Sequence, residues 1–193
     1  MRLFNGKTRQ ALQHYFGWVF FLLIIFFYIF FIIRFFVFSP GKVNGPSMEP
    51  AYLDENFFLV NKYIYLFHSP RRYDVVQLLN GANKKLMIKR VVGLPGEIIT
   101  IKRGKIYVQS DINSPEIILD ETKYLPSNIY TVVMGQKGAA KFLVGDNQYF
   151  VTGDNRNNSV DSRLYGPVNR SQITGKVMRE LADIFRWFFG MIL

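Results

Sequence analysis

Phe16-Gly17-Trp18-Val19-Phe20-Phe21-Leu22-Leu23-Ile24-Ile25-Phe26-Phe27-Tyr28-Ile29-Phe30-Phe31-Ile32-Ile33 is a run of 18 residues without a charge, and Phe35 to Phe38 carries it past Arg34. At about 1.5 Å per residue the run reaches about 27 Å, and its extension to Phe38 about 34 Å, which brackets a hydrocarbon core of about 30 Å. Residues 16–38 therefore read as a transmembrane signal anchor. Arg34 lies one turn from the outer end, where its stem carries the guanidinium to the headgroups. A cleavable signal peptide is the competing reading. The run is too long for one, and no alanine lies between Ala11 and Ala51 to form a small-x-small cleavage site.

On the near side of the anchor, residues 1–15 are polar and basic, and no acidic residue occurs before Glu49. Three basic residues fall within the first ten positions, whereas Lys42 is the only one between Phe38 and Lys62. That asymmetry places the amino terminus in the cytoplasm and the rest outside a cell membrane crossed once. The formal net charge of +10 divides into +4 from Arg2, Lys7, Arg9 and Arg34 and +6 after Ser39, from 20 basic and 14 acidic residues. A basic domain tethered to a bilayer has anionic phospholipid headgroups as its nearest partner. No recognition motif or basic helix supports nucleic-acid binding. The absence of cysteine excludes disulfides, thiolate zinc sites and a cysteine nucleophile.

Beyond the anchor the chain reads as mainly β, one domain over 39–180 after a short Ser39-Pro40-Gly41 linker. Phe57–Val60, Val75–Leu79 and Leu86–Val92 are apolar runs of strand length, and Gln148–Thr152 is another. Ile98–Lys102 and Lys105–Gln109 flank Arg103-Gly104 in the form of a β-hairpin. Ser110–Lys141 is more polar and less periodic, so residues of about 98–147 form a smaller inserted β excursion. The apolar tail 181–193 has only 13 residues and carries Asp183 and Arg186. It is short for a second span and reads as an interfacial or core-packed segment.

The chemistry concentrates in Val43-Asn44-Gly45-Pro46-Ser47-Met48-Glu49-Pro50, which sets one serine on a Gly-Pro turn within ten residues of the anchor. A serine hydroxyl is a poor nucleophile and needs a neighbouring base. His14 precedes the anchor, and His68 sits in a loop without a motif. Lys89 lies inside an apolar strand, where alternation puts it on one face with Met87 and Val91. An ordinary lysine, with a pKa near 10.4, is almost wholly protonated at neutral pH; an apolar face disfavours the ammonium and frees the amine. The alternative is a lysine whose stem crosses that face and whose head finds water. No cluster of metal ligands is visible, so chelators are expected to be inert and no cofactor is implied.

Four blocks, Gly45–Pro50, Arg72-Tyr73-Asp74-Val75-Val76, Lys89–Glu97 and Gly153-Asp154-Asn155-Arg156-Asn157-Asn158-Ser159-Val160-Asp161-Ser162-Arg163, occur in the order in which the sequence resembles the type I (bacterial-type) signal peptidases. These are membrane-anchored Ser-Lys serine proteases. The resemblance implies Ser47 as nucleophile, Lys89 as general base, and the Ser47 backbone N–H as an oxyanion donor. Some relatives carry a serine two residues before the nucleophile as a second donor; Gly45 stands there in this chain. Ser159 is implied to orient Lys89, and Asp161 and Arg163, with Asp154 nearby, to support the site. A tight, self-bonded loop would use the same Asp, Asn, Arg and Ser residues for purely structural ends. Arg90 points away from Lys89 and is expected to be structural.

The implied activity is cleavage of signal peptides from exported preproteins after a small-x-small motif, with those signal peptides and the protein export machinery as partners. A catalytically silent, membrane-tethered β domain that binds peptide or lipid is the alternative. Ala51-Tyr52, Glu55-Asn56 and Tyr73 depart from the family pattern, the last two where glycine is common. Local turn geometry is where those departures are expected to act.

Overall fold

The computed structural model describes residues 6–32, 37–81, 84–133 and 138–178. Arg34 and the tail 181–193, for which headgroup and interfacial placements are expected, lie outside the described residues. The chain divides into two units, Met1–Ser39 and Pro40–Leu193.

In the first unit, helix α1 spans Gly6–Ile32. Within it Leu12–Ile32, 21 residues of mean hydropathy 2.5, is the one stretch among the described residues long and apolar enough to cross a membrane. Its large apolar side chains are exposed on every face from Leu12 to Ile32. A helix apolar all round has no solvated side, which distinguishes it from an amphipathic surface helix.

The second unit is mainly β. The strands of the chain are β1 (Phe38–Lys42), β2 (Phe57–Asn61), β3 (Val75–Leu79), β4 (Leu86–Gly93), β5 (Ile98–Lys102), β6 (Lys105–Gln109), β7 (Ile117–Ile118), β8 (Ala140–Leu143), β9 (Gln148–Thr152), β10 (Val168–Asn169) and β11 (Ile173–Met178). Two one-turn helices, α2 (Ile64–Phe67) and α3 (Ser162–Tyr165), interrupt them. The larger sheet has the order β1-β2-β11-β3-β4-β9-β10 and the smaller the order β7-β6-β5-β8. The expected inserted excursion is thus a sheet of its own, built on the β5–β6 hairpin with Ile98 opposite Gln109. Arg103 and Gly104 both take positive φ, 51° and 74°, as a type I′ hairpin turn requires.

Two features differ from the sequence reading. Ser39-Pro40-Gly41 is no linker but the middle of β1, an edge strand, the position in a sheet where proline is tolerated. β11 was not expected at all, yet it lies between β2 and β3. Gly175 conceals it by breaking the apolar run, and for a reason: a Cβ there would lie 2.6 Å from the carbonyl oxygen of Asn61 on β2.

The order of strands positions the site. β4 is an interior strand, with Lys89 opposite Val76 on β3 and Arg90 opposite Thr152 on β9. Thr152 ends β9 and opens the Gly153–Arg163 loop, so strand pairing brings the start of that loop beside β4. The turn that carries Ser47 is pinned from beneath by Met48, fully buried among Val43, Tyr52, Phe58, Val60, Val75 and Ile88.

Candidate active site

Ser47 sits in a single turn of 3-10 helix, Pro46–Met48. Gly45 enters it at φ 89° and ψ 162°, a conformation that only glycine takes without strain. The Gly45 N–H donates to Asp54 Oδ1 at 2.7 Å, and the same oxygen accepts from Glu55 N–H at 3.0 Å. Gly45 therefore shapes the turn that carries Ser47, and its N–H is engaged by Asp54. On the far side of the turn, Asn155 N–H donates to the Ser47 carbonyl at 3.1 Å.

Lys89 comes from the middle of β4 and is 3 % exposed. Its Nζ donates to Ser47 Oγ at 2.7 Å and to the Ile88 carbonyl at 3.0 Å. Burial pulls the lysine pKa down to about 8; Asp161 and Asp154 oppose the fall, and Arg163 adds to it. At that value the free amine is a major species in mildly alkaline solution rather than a trace.

The Gly153–Arg163 loop is held by charges that pair within the protein. Asp161, fully buried, accepts from Gly153 N–H at 2.9 Å and grips Arg163 through Nε and Nη2, both at 2.9 Å. Burial pushes the Asp161 carboxyl up, but Arg163 and the Gly153 N–H outweigh it and hold the group below the usual carboxylate range. Arg163 also donates to the Arg156 carbonyl at 2.7 Å. Asp154 is paired with Arg90, at 2.8 Å to Nε and 2.6 Å to Nη2, and the Arg90 guanidinium lies 4.2 Å from the Tyr124 ring centre. Arg90 is thus on the other face of β4 from Lys89, tying the strand to the loop.

Ser159 stands apart from its expected role. It makes no hydrogen bond to Lys89 among the described contacts; its Oγ is buried, and it is on the Asp161 carboxylate, which it helps hold low, that the hydroxyl acts. The missing side chain of Gly153 lets Ser159 and the Ser47 carbonyl approach each other. A Cβ on Gly153 would lie 2.2 Å from Ser159 Oγ and 2.4 Å from the Ser47 carbonyl oxygen. Gly153 is therefore a site residue that the sequence reading quoted without assigning; its signal was its place at the end of a strand before Asp-Asn. Asp54 gave no signal, since a lone aspartate in a polar turn is ordinary.

Glu55 and Tyr73, where the resembled family commonly has glycine, both adopt left-handed backbone, φ 67° and 73°. At both positions a side chain sits on backbone that glycine would adopt without strain.

The Signal peptidase, peptidase S26 family model matches residues 15–181. The chain is similar to signal peptidase I V of Bacillus subtilis (strain 168), 37 % identical over 150 residues that make up 73 % of this chain and 84 % of that protein. It is also similar to signal peptidase I P of Bacillus subtilis subsp. natto, 33 % identical over 88 % of this chain and 90 % of the relative. Among solved structures, a signal peptidase I from Enterococcus faecalis V583 is 24 % identical with a TM-score of 0.41, covering 57 % of this chain and 98 % of that one.

Proposed function

The chain belongs to the signal peptidase family, peptidase S26, serine endopeptidases that remove signal peptides, and on that premise we propose that Ser47 and Lys89 carry out the cut. The observation that carries this reading is the 2.7 Å contact between Ser47 Oγ and a lysine whose pKa burial has brought to about 8.

Neutral Lys89 takes the proton from Ser47 Oγ as the oxygen attacks the scissile carbonyl. The resulting oxyanion is met by the Ser47 backbone N–H. Protonated Lys89 then gives its proton to the departing amine, leaving the signal peptide as an ester on Ser47. A water deprotonated by Lys89 hydrolyses that ester and returns the serine. Asp154, Asp161 and Arg163 act around this exchange by setting the charge that Lys89 feels and the shape of the loop beside Ser47.

The substrate is an extended segment laid against a sheet edge, cut after a small-x-small motif, with main-chain pairing supplying affinity and shallow pockets selectivity. The apolar α1 is the anchor, with its amino terminus cytoplasmic, the catalytic domain of 39–180 extracytoplasmic, and residues of about 98–147 as its accessory part. Anionic phospholipids and the protein export machinery are its neighbours there.

The test is cleavage of a model preprotein with an Ala-x-Ala site by the detergent-solubilised chain and its Lys89→Ala variant across pH. Cutting at that site by the parent alone supports the reading. Equal cutting by Lys89→Ala rejects the lysine base.

A further inference from the structure

The smaller sheet ends in a segment that reaches back to the catalytic loop. Between β7 and β8, Glu121 and Thr131 converge on one side chain, that of Arg156, which has no exposed side-chain surface. Glu121 Oε1 accepts from Arg156 Nη2 at 2.5 Å and Oε2 from Nη1 at 3.2 Å, while Thr131 Oγ1 accepts from Nη1 as well. The Tyr124 hydroxyl donates to Glu121 Oε1 at 2.6 Å and fixes the carboxylate from behind. Arg156 Nη2 also donates to the Tyr124 hydroxyl at 3.5 Å, and Arg156 Nε donates to the Gly153 carbonyl at 3.0 Å. Gly153 is the residue against whose bare Cα both the Ser47 carbonyl and Ser159 pack, with no room for a side chain.

We propose that Glu121 is a positioning residue for the cleavage reaction: through Arg156 it holds Gly153 in place, and Gly153 sets the spacing between Ser47 and the Ser159 side of the loop. The inference rests on the reading of Ser47 as the nucleophile. Its physical basis is that a guanidinium without solvent must keep a carboxylate beside it or move to find water. An Arg156 side chain that moves toward water releases the Gly153 carbonyl that its Nε holds. Gly153 would then leave the Ser47 carbonyl, and Asp161, bonded to the Gly153 N–H, would follow. The accessory sheet is on this view a brace for the catalytic loop, and Glu121, 35 residues from Arg156 in sequence, is its contact point.

The experiment compares Glu121→Gln with Glu116→Gln in the full chain, reading kcat, KM and melting temperature on an Ala-x-Ala preprotein substrate. Glu116 forms an ion pair with Lys102 in the same small sheet, away from the catalytic loop. Glu121→Gln is expected to lower kcat about tenfold or more with KM within about twofold, and Glu116→Gln to leave both unchanged. A folded Glu121→Gln variant with parental kcat overturns the proposal.

The double variant Glu121→Gln/Arg156→Gln separates positioning from mere stability, and it decides the case if the single variant fails to fold. Without the buried charge, melting temperature recovers, but the Gly153 carbonyl lacks its partner and kcat stays low. Recovery of both overturns the brace. Ser47→Ala in the same assay keeps the two readings apart. If it still cuts, the nucleophile is misassigned; if it is inert while Glu121→Gln turns over normally, only the brace fails.

Discussion

Lys89 Nζ and Ser47 Oγ meet at 2.7 Å across 42 residues of chain. One comes from the middle of an interior strand and the other from a glycine-led turn, and Met48, buried beside Ile88 in one core cluster, ties the two elements together. The contact therefore depends on core packing as much as on either motif.

Replacing the base by an apolar side chain of similar length should stop the reaction without collapsing the fold. Lys89→Met and Ser47→Ala are each expected to lower kcat by about 10³ or more, the scale of general base and nucleophile removal. Steady-state cleavage of an Ala-x-Ala preprotein, with circular dichroism to verify the fold, checks this. A Lys89→Met enzyme within tenfold of the parent would point to another base.

The acid side of the pH profile should report Lys89. The base must be neutral, so kcat/KM is expected to rise with pH through about 8 and then level. Asp161 favours the ammonium and Arg163 disfavours it. Asp161→Asn removes the first influence and leaves Arg163 unpaired, and both changes move the limb to lower pH. A limb that moves alkaline in that variant contradicts the assignment.

Stability carries the same signature with a defined sign. The folded-state pKa of Lys89 is depressed from 10.5 to about 8. Between those values the unfolded chain holds a proton that the folded chain lacks, so stability rises with pH across that window. Below it both states are protonated, and the buried ammonium costs on the order of 3 kcal/mol at about 1.4 kcal/mol per pH unit. Lys89→Met should therefore be more stable than the parent at neutral pH, the gap closing as pH climbs toward 10.5. Denaturant titrations at a series of pH values read this directly.

Gly153→Ala places a methyl group against backbone that cannot yield. With contacts of 2.2 Å to Ser159 Oγ and 2.4 Å to the Ser47 carbonyl, the loop must shift. Overpacking of this kind costs about 1–3 kcal/mol, and turnover should fall further than stability alone explains. Melting temperature and kcat measured together distinguish the two effects.

Glu55→Gly should do the opposite. Glu55 holds φ 67°, and its ion pair with Lys42 is largely exposed. Left-handed backbone costs a side-chain-bearing residue roughly 1–2 kcal/mol, more than an exposed ion pair of about 0–1 kcal/mol returns. A gain of about 1 kcal/mol in chemical denaturation is expected, less whatever glycine adds to unfolded-chain entropy. Tyr73→Gly is no equivalent test, because it also removes the ring packed at 5.7 Å against Tyr124.

Local pattern made much of the β architecture legible. Val75–Leu79, Gln148–Thr152 and the 98–109 hairpin match the observed strands residue for residue, because alternation and a glycine turn are properties of neighbouring residues. β11 escaped because Gly175 answers to Asn61 and Gln77, both far away in the chain. Ser39-Pro40-Gly41 misled because proline and glycine punctuate loops more often than they end up in an edge strand.

The length of the apolar run and the β-rich body were set by the order of residues alone, since each rests on spacing within a short window, and the motif blocks singled out Ser47 and Lys89 as candidates. The partners of those residues were not. That Asp54 occupies the Gly45 N–H, that Ser159 and the Ser47 carbonyl both pack against bare Gly153, and that Glu121 neutralises Arg156 are all products of tertiary structure. The physical reason is that burial and charge pairing are created by surfaces that distant segments bring together. A lysine becomes a base, and an arginine needs a carboxylate, only once the fold has removed the water.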